Sequence, residues 1–384
     1  MTRTNGWRGA AMALALWMAQ AAALAFQLAP LGSSFEARFT NERPSTIARV
    51  AGRAGRLIKE PVHEEITQLA SGCPLQRTDL PGDVLCQGAD QPFAGAYVIY
   101  GVRWNDMPPF RLNAGEGAQC KKLLLRTAAC TVSQTVNFST QPECWLCLFE
   151  DAGKKSQTSR ISGCDRGSGV LKGNLMTRSH FGDLQFLHAM ASADNLEAAQ
   201  TQAQVLAWVE FAWKVSSGEI GPQTRLKDVT IAALQEHFGC TEWTVADLYV
   251  LGQQQYLLPQ IRSVAFGSVL HTVQDSFAEG HAEREAVAPA GMCPGTDMPW
   301  PRRVMEFHGY AGQDGHRHDE GDTRAAMLGA SASDWPAAVE ASRQLFALKD
   351  RPWAEAQPYL QCLFELAPGA RASSPGTQFK RPAL

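Results

Sequence analysis

His271, Asp275 and His281 fall in one stretch, His-Thr-Val-Gln-Asp-Ser-Phe-Ala-Glu-Gly-His. A helix turns every ~3.6 residues, so His271 and Asp275 share a face if the segment is helical. A ring nitrogen and a carboxylate at that spacing chelate a metal without bending the backbone. The chain has nine histidines, and five of them lie between 271 and 318: His271, His281, His308, His316 and His318. A single His-x-x-x-Asp is more often a solvated helix surface. Here a second His-x-x-x-acid pair follows at 316–322, and the two together point to metal.

At 384 residues the chain can bury one large core or two modest ones. Its net charge of −3 sets up no global field toward nucleic acid or an anionic membrane. Residues 1–25 read as a signal peptide. Arg3 and Arg8 form a basic start, an uncharged apolar run extends from Ala10 to Leu28, and Ala-Leu-Ala at 23–25 suits signal peptidase. The run is almost long enough to span a bilayer, so an uncleaved anchor is the alternative. The chain is therefore expected to be exported, periplasmic or secreted. Ten cysteines in an exported chain read as disulfides. Cys144-Trp-Leu-Cys147 has no second Cys-x-x-Cys to complete a zinc ribbon and no thioredoxin-like strand pattern before it, so it reads as structural.

Helical signals dominate. Residues 182–217 read as two helices, the first with Leu184, Leu187 and Ala191 on its apolar face. The second carries Val205, Trp208, Val209 and Ala212 at i, i+3, i+4 and i+7. Residues 227–238, 243–252 and 259–278 continue in the same way, and Trp335–Ala347 is another helix with Asp334 as N-cap. The fold class expected is all-α, a single multi-helix domain over 26–366. Residues 107–178, which carry five cysteines from 120 to 164, read as a disulfide-rich insertion. Within it, Leu123–Leu125 and Cys144–Phe149 read as short strands. The Pro-, Gly- and Ser-rich stretch 367–384 reads as a flexible tail.

Other candidate residues are spread along the chain. His63 lies in Val-His-Glu-Glu-Ile-Thr, Asp106 ends Arg-Trp-Asn-Asp, and His180 lies in Arg-Ser-His-Phe. With His271, Asp275, His281 and the His-Arg-His-Asp-Glu-Gly-Asp run at 316–322, this order resembles the zinc-dependent bacterial phospholipase C and fungal single-strand nuclease superfamily. The resemblance covers about 60–325, and it implies an all-helical fold around a cluster of two or three zinc ions. It implies Asp106, His180, His271 and Asp275 at one zinc, and His281 with a downstream His-x-x-x-acid pair at a second. His63 would serve a third, sharing Asp275, and Asp106 would also orient or deprotonate the attacking water.

The downstream pair is either His318 with Asp322 or His316 with Glu320. Residues two apart on a helix point in nearly opposite directions, so both cannot face one site. His318 and Asp322 are preferred. His308 reads as structural, His188 as a buried core histidine on an apolar face, and His237 as a helix C-terminal histidine.

The sequence departs from the family at three places. No processing site leaves an N-terminal Trp shortly before His63, the family's usual partner for the third zinc. The 73 residues between Asp106 and His180 far exceed the family's short connection. Met107 and Thr177 stand where phospholipases carry choline-facing aromatics. The function expected is zinc-dependent phosphoester hydrolysis, with phospholipid headgroups preferred and possible contact with a membrane surface. A single-strand nuclease, with Trp104 as the candidate base-stacking residue, is the second reading. A metal-stabilised, non-enzymatic binding protein is the third.

Overall fold

The computed structural model describes residues 62–73, 94–111, 135–136, 142–156, 161, 163–165, 170–251, 255–323 and 337–382. The expected all-helical class holds. Among the described residues there are eleven α-helices and three two-stranded sheets. The proposed signal peptide, Leu123–Leu125 and Asp334 lie outside the described residues.

The centre is α8 (Ile261–Asp275), buried along almost its whole length. It packs on α2 (Ala96–Trp104) and α5 (Ala198–Ser217). Two glycines explain how closely α2 and α8 approach. A Cβ on Gly101 would stand 2.1 Å from the Val264 carbonyl oxygen, and one on Gly267 would stand 2.2 Å from that of Val98. Backbone therefore meets backbone from both sides. This contact brings the end of α2, with Asp106 two residues beyond it, beside the last turn of α8. Asn105 locks that junction. Its amide donates to the Leu187 carbonyl at 2.8 Å and to Thr272 Oγ1 at 3.1 Å, and its Oδ1 accepts from Ser268 Oγ at 2.6 Å.

Helix α1 (Val62–Ala70) is held by a smaller apolar cluster. Val62, Ile66 and Leu69 pack with Ala338 and Val339 of α10 (Ala337–Leu348). Helix α11 (Trp353–Leu363) packs on α5.

The insertion contributes β1 (Phe110–Arg111) paired with β2 (Thr135–Val136), α3 (Pro142–Ser156), and β3 (Cys164–Asp165) paired with β4 (Val170–Leu171). Cys144–Phe149 is thus helical, where a strand was expected. Cys144, Trp145, Leu148, Phe149 and Ala152 make one buried helical face, and a six-residue apolar run is too short for its period to tell the two apart. Helix α4 (Leu175–Phe181) leads out of the insertion, and the side chain of Asn174 caps it by accepting from Thr177 N at 3.0 Å.

The first helix expected after residue 182 is only a 3-10 turn, Gln185–His188, ended by Ala189 in a left-handed conformation. The remaining helices are α6 (Ala232–Phe238), α7 (Val245–Val250) and α9 (Gly315–Gly321), with β5 (Ala282–Arg284) paired to β6 (Val304–Phe307) between α8 and α9.

Cys164–Cys240 ties the insertion to the segment after α6, and Cys293–Cys362 ties a loop to α11. Cys73, Cys144 and Cys147 are also disulfide-bonded. Such bonds persist in an oxidising compartment. No helix among the described residues is long and apolar enough to cross a membrane. Residues 367–382, expected to be a flexible tail, are instead laid across the body, with Ala367, Ser373 and Phe379 buried. Backbone bonds that no composition rule reveals tie them down, among them Gly309 N to Ser374 O at 2.8 Å and Asp314 N to Phe379 O at 2.7 Å.

Candidate metal centre

All eight expected ligands meet at the inner end of α8. His63, Asp106, His180, His271, Asp275, His281, His318 and Asp322 are each buried. Together with His188 they form three groups, the donor atoms of each lying within 4.8 Å of one another: His63, His271 and Asp275; Asp106, His180 and His188; His281, His318 and Asp322. This grouping differs from the expected one. Asp106 and His180 gather around His188 rather than with His271 and Asp275, although His271 Nε2 is still only 3.8 Å from Asp106 Oδ1.

His188 is the residue that sequence reasoning assigned to the core. Its Nδ1 is 3.0 Å from Asp275 Oδ2, 3.1 Å from His271 Nε2 and 3.5 Å from Asp106 Oδ1. His188 is buried and hydrogen-bonded, as expected, but beside carboxylates rather than among apolar side chains, and the 3-10 turn explains why. An α-helix would have kept His188 on the face of Leu184 and Leu187, whereas the tighter turn swings it toward α8. No acid follows it at ligand spacing, so nothing in the local sequence marked it.

Between the two downstream pairs, the structure selects one. His318 and Asp322 are 1% and 0% exposed and 3.3 Å apart, whereas His316 and Glu320 are 87% and 72% exposed on the opposite face of α9. His318 Nε2 reaches His281 Nε2 at 3.2 Å. Gly280 permits this approach, since a Cβ there would stand 2.7 Å from His318 Nδ1.

The imidazoles are oriented from outside the cluster. His63 Nδ1 lies 2.7 Å from Gln274 Oε1, and Gln274 Nε2 in turn donates to Thr67 Oγ1. His271 Nδ1 lies 2.6 Å from the Val102 carbonyl, His281 Nδ1 2.6 Å from the His188 carbonyl, and His180 Nδ1 3.0 Å from the Met176 carbonyl. An oxygen with no proton can only accept, so each Nδ1 carries the hydrogen and each Nε2 turns a lone pair inward. The result sets acceptor against acceptor. His271 Nε2 faces Asp275 Oδ2 at 2.9 Å, and His63 Nε2 faces Asp275 Oδ1 at 3.1 Å. Buried lone pairs at such distances repel unless a proton or a metal cation stands between them.

Protonation does not supply that charge at His271. Burial pushes it down to about 4, with Asp275 opposing and His63 adding to the shift. Burial likewise lowers His188 to about 4 and His180 to about 3, and depresses His281. Burial opposes ionisation of Asp275, but the surrounding imidazoles, His271 first, outweigh it and hold the carboxyl well below its usual range. Neutral imidazoles around an ionised carboxylate are the protonation states in which these groups ligate metal. The donor set is imidazole nitrogen and carboxylate oxygen, with no thiolate, which suits a divalent transition metal.

No family model, no curated protein and no solved structure matches this chain.

A narrow opening of about 20 Å³, little more than room for one water, leads to the cluster, lined by Asp106, Ser179, His180, Gln185, His188, Met190, His281, Tyr310 and His318. Tyr310 stands at its edge, between Phe181 and His318 with ring centroids at 5.6 and 5.1 Å. Trp104, the candidate for base stacking, is not there. It is 2% exposed and lies in the core against Trp208 and Tyr249. Behind His180, Arg178 grips Asp183 through two bonds of 2.8 and 2.7 Å and donates to the His237 carbonyl at 2.6 Å. Asp183, which burial alone would raise, is held at about 2 by Arg178 and then His237. His237 thus ends a helix, as expected, and also donates through Nδ1 to Asp183 at 2.8 Å.

Proposed function

We propose that this protein is a zinc-dependent phosphoester hydrolase of the phospholipase C and single-strand nuclease kind. The observation that carries the proposal is the arrangement of nine ligand-type side chains in three groups of three, of which the groups of Asp106, His180 and His188 and of His281, His318 and Asp322 line one opening while the third lies buried behind it. Three protein ligands per ion leave a coordination position for water or substrate, the pattern of catalytic zinc. A structural site is closed by four, and the group of His281, His318 and Asp322 has three, which argues against a purely metal-stabilised binding protein.

Zinc held there would supply a nucleophile from water at neutral pH and positive charge for the phosphoryl oxygens. The chain's own contribution is positioning. Val102 O, His188 O, Met176 O and Gln274 Oε1 fix four rings before substrate arrives. Asp275 joins two groups, because both its oxygens face imidazoles and His188 bonds to it as well. Asp106 is the carboxylate that both belongs to a ligand group and lines the opening, which suits it to accept a proton from the attacking water.

The substrate class proposed is a small phosphodiester, with a phospholipid headgroup ahead of nucleic acid. None of the nine described residues lining the opening is Lys or Arg. Proteins that track a polynucleotide backbone use basic grooves with stacking aromatics, and Trp104 is buried. One observation favours the nuclease reading: Tyr310, a half-buried aromatic residue, lines the opening. The deciding assay compares phosphatidylcholine, phosphatidylethanolamine, single-stranded DNA and duplex DNA at matched zinc. Lipid turnover above that on duplex DNA, with little choline preference, is expected. Fast single-strand cleavage without lipid turnover would promote the nuclease, and no turnover on any of them would remove the hydrolase reading.

A further inference from the structure

The chain beyond α11 crosses the molecule behind His281 and ends against α9. Arg371 N donates to Met305 O at 2.8 Å, Ser373 N to Leu196 O at 2.8 Å, and Arg381 N to Gly312 O at 3.0 Å. Glu283 and Glu306 face each other directly across β5 and β6. Like charges so placed destabilise a strand pair. Arg371 lies between them, donating to Glu306 at 3.1 Å and to Glu283 at 2.5 Å. Glu283, Glu306 and His308 form a fourth cluster of ligand-type side chains, and Arg371 offsets one of its two carboxylate charges and so clasps the segment there.

The far end of the same segment meets α9. That helix has seven residues, about half the ~12–15 at which an isolated helix becomes even marginal. Its N-cap, Asp314, is fixed by its own side chain and by Asp314 N donating to Phe379 O at 2.7 Å. Its last turn is covered by the Phe379 ring. A Cβ on Gly321 would stand 3.0 Å from that ring, so the helix and the ring are in direct contact. The ring also lies near His318, with centroids 6.5 Å apart. Gln313 adds a third fastening, donating to Gly280 O at 2.7 Å and to Pro375 O at 2.9 Å.

We infer that residues 371–381 are a strap that positions His318 and Asp322, with Phe379 as its positioning residue. Without the ring, α9 loses its seat, and the group of His281, His318 and Asp322 opens while the two groups around α8 stay intact. The consequence for metal rests on the zinc reading above; the consequence for α9 does not.

The test uses full-length Phe379→Ala and Phe379→Leu beside the wild type. Hydrogen exchange of peptides covering 315–322 and 262–275 is followed in chelator, and zinc per chain is measured after reloading. In Phe379→Ala, exchange over 315–322 should rise by about tenfold or more, with 262–275 unchanged. Bound zinc should fall by one ion per chain. Phe379→Leu, which keeps apolar bulk, should lie between the two and serves alone if the alanine variant does not fold. Unchanged exchange over 315–322 would overturn the strap's role whatever the zinc content. Faster exchange with zinc either fully retained or wholly lost would overturn its selectivity. If the wild type binds no zinc, the zinc reading fails and the exchange comparison alone decides the strap.

Discussion

His188 Nδ1 sits 3.0 Å from Asp275 Oδ2, so a histidine on a 3-10 turn and a carboxylate on the central helix share one buried bond 87 residues apart in sequence. The same nitrogen lies 3.5 Å from Asp106, which makes His188 the hinge between two ligand groups. His188→Ala should therefore cost as much as His271→Ala. We expect each to lower zinc content and to reduce phosphodiesterase turnover by on the order of 100-fold, at the upper end for damage to a metal site. Metal analysis and turnover of both purified variants check this. Near-normal values for His188→Ala would return it to the core.

Asp275→Asn removes the one charge that faces His63, His271 and His188 together. The expected loss of activity is again on the order of 100-fold or more, with more than one ion released. Turnover with reloading by excess zinc is the measurement. A variant that keeps its full zinc complement and rate would take Asp275 out of the shared position.

The two overlapping pairs on α9 give a sharper contrast. His318→Ala should release one ion, because its ring is buried against His281. His316→Ala should change zinc content and rate by less than about twofold, as expected for a surface side chain away from any site. The reverse result would move the ligand register by two residues.

Much of this site was legible because its ligands come in helical pairs. His271 with Asp275 and His318 with Asp322 each carry their geometry in a four-residue spacing, and burial selects 318/322 over 316/320. His63, Asp106 and His180 have no such local partner and were found through the order of ligands along the chain. His188 was missed because its role depends on a 3-10 turn and on Asn105, whose amide holds the Leu187 carbonyl. The order of the 367–382 segment was missed for a related reason. Its Pro, Gly and Ser composition describes its own weak propensities, whereas its fixation comes from Glu283, Glu306 and Asp314 in distant segments.

The metal-free protein should lose stability as the pH falls from about neutral toward 4. His188 and His271 titrate near 4 and His180 near 3 when folded, below the ordinary value of 6.5. Between those values the unfolded chain binds more protons than the folded one, so stability rises with pH there and is lost on acidification. Asp275, held low when folded, acts in the same direction toward the acid end of this window, because the unfolded aspartate takes up protons there before the folded one does. Denaturant midpoints in chelator at pH 7.5, 6 and 5 measure it. A midpoint constant across that range would contradict neutral, buried imidazoles.

If the three buried ligand groups hold zinc, elemental analysis of the purified protein, prepared gently from zinc-containing medium, will find it. Two to three zinc ions per chain are expected, removed by chelator together with phosphodiesterase activity and restored by adding zinc back. Less than one ion per chain, or activity that survives complete removal of metal, would contradict it.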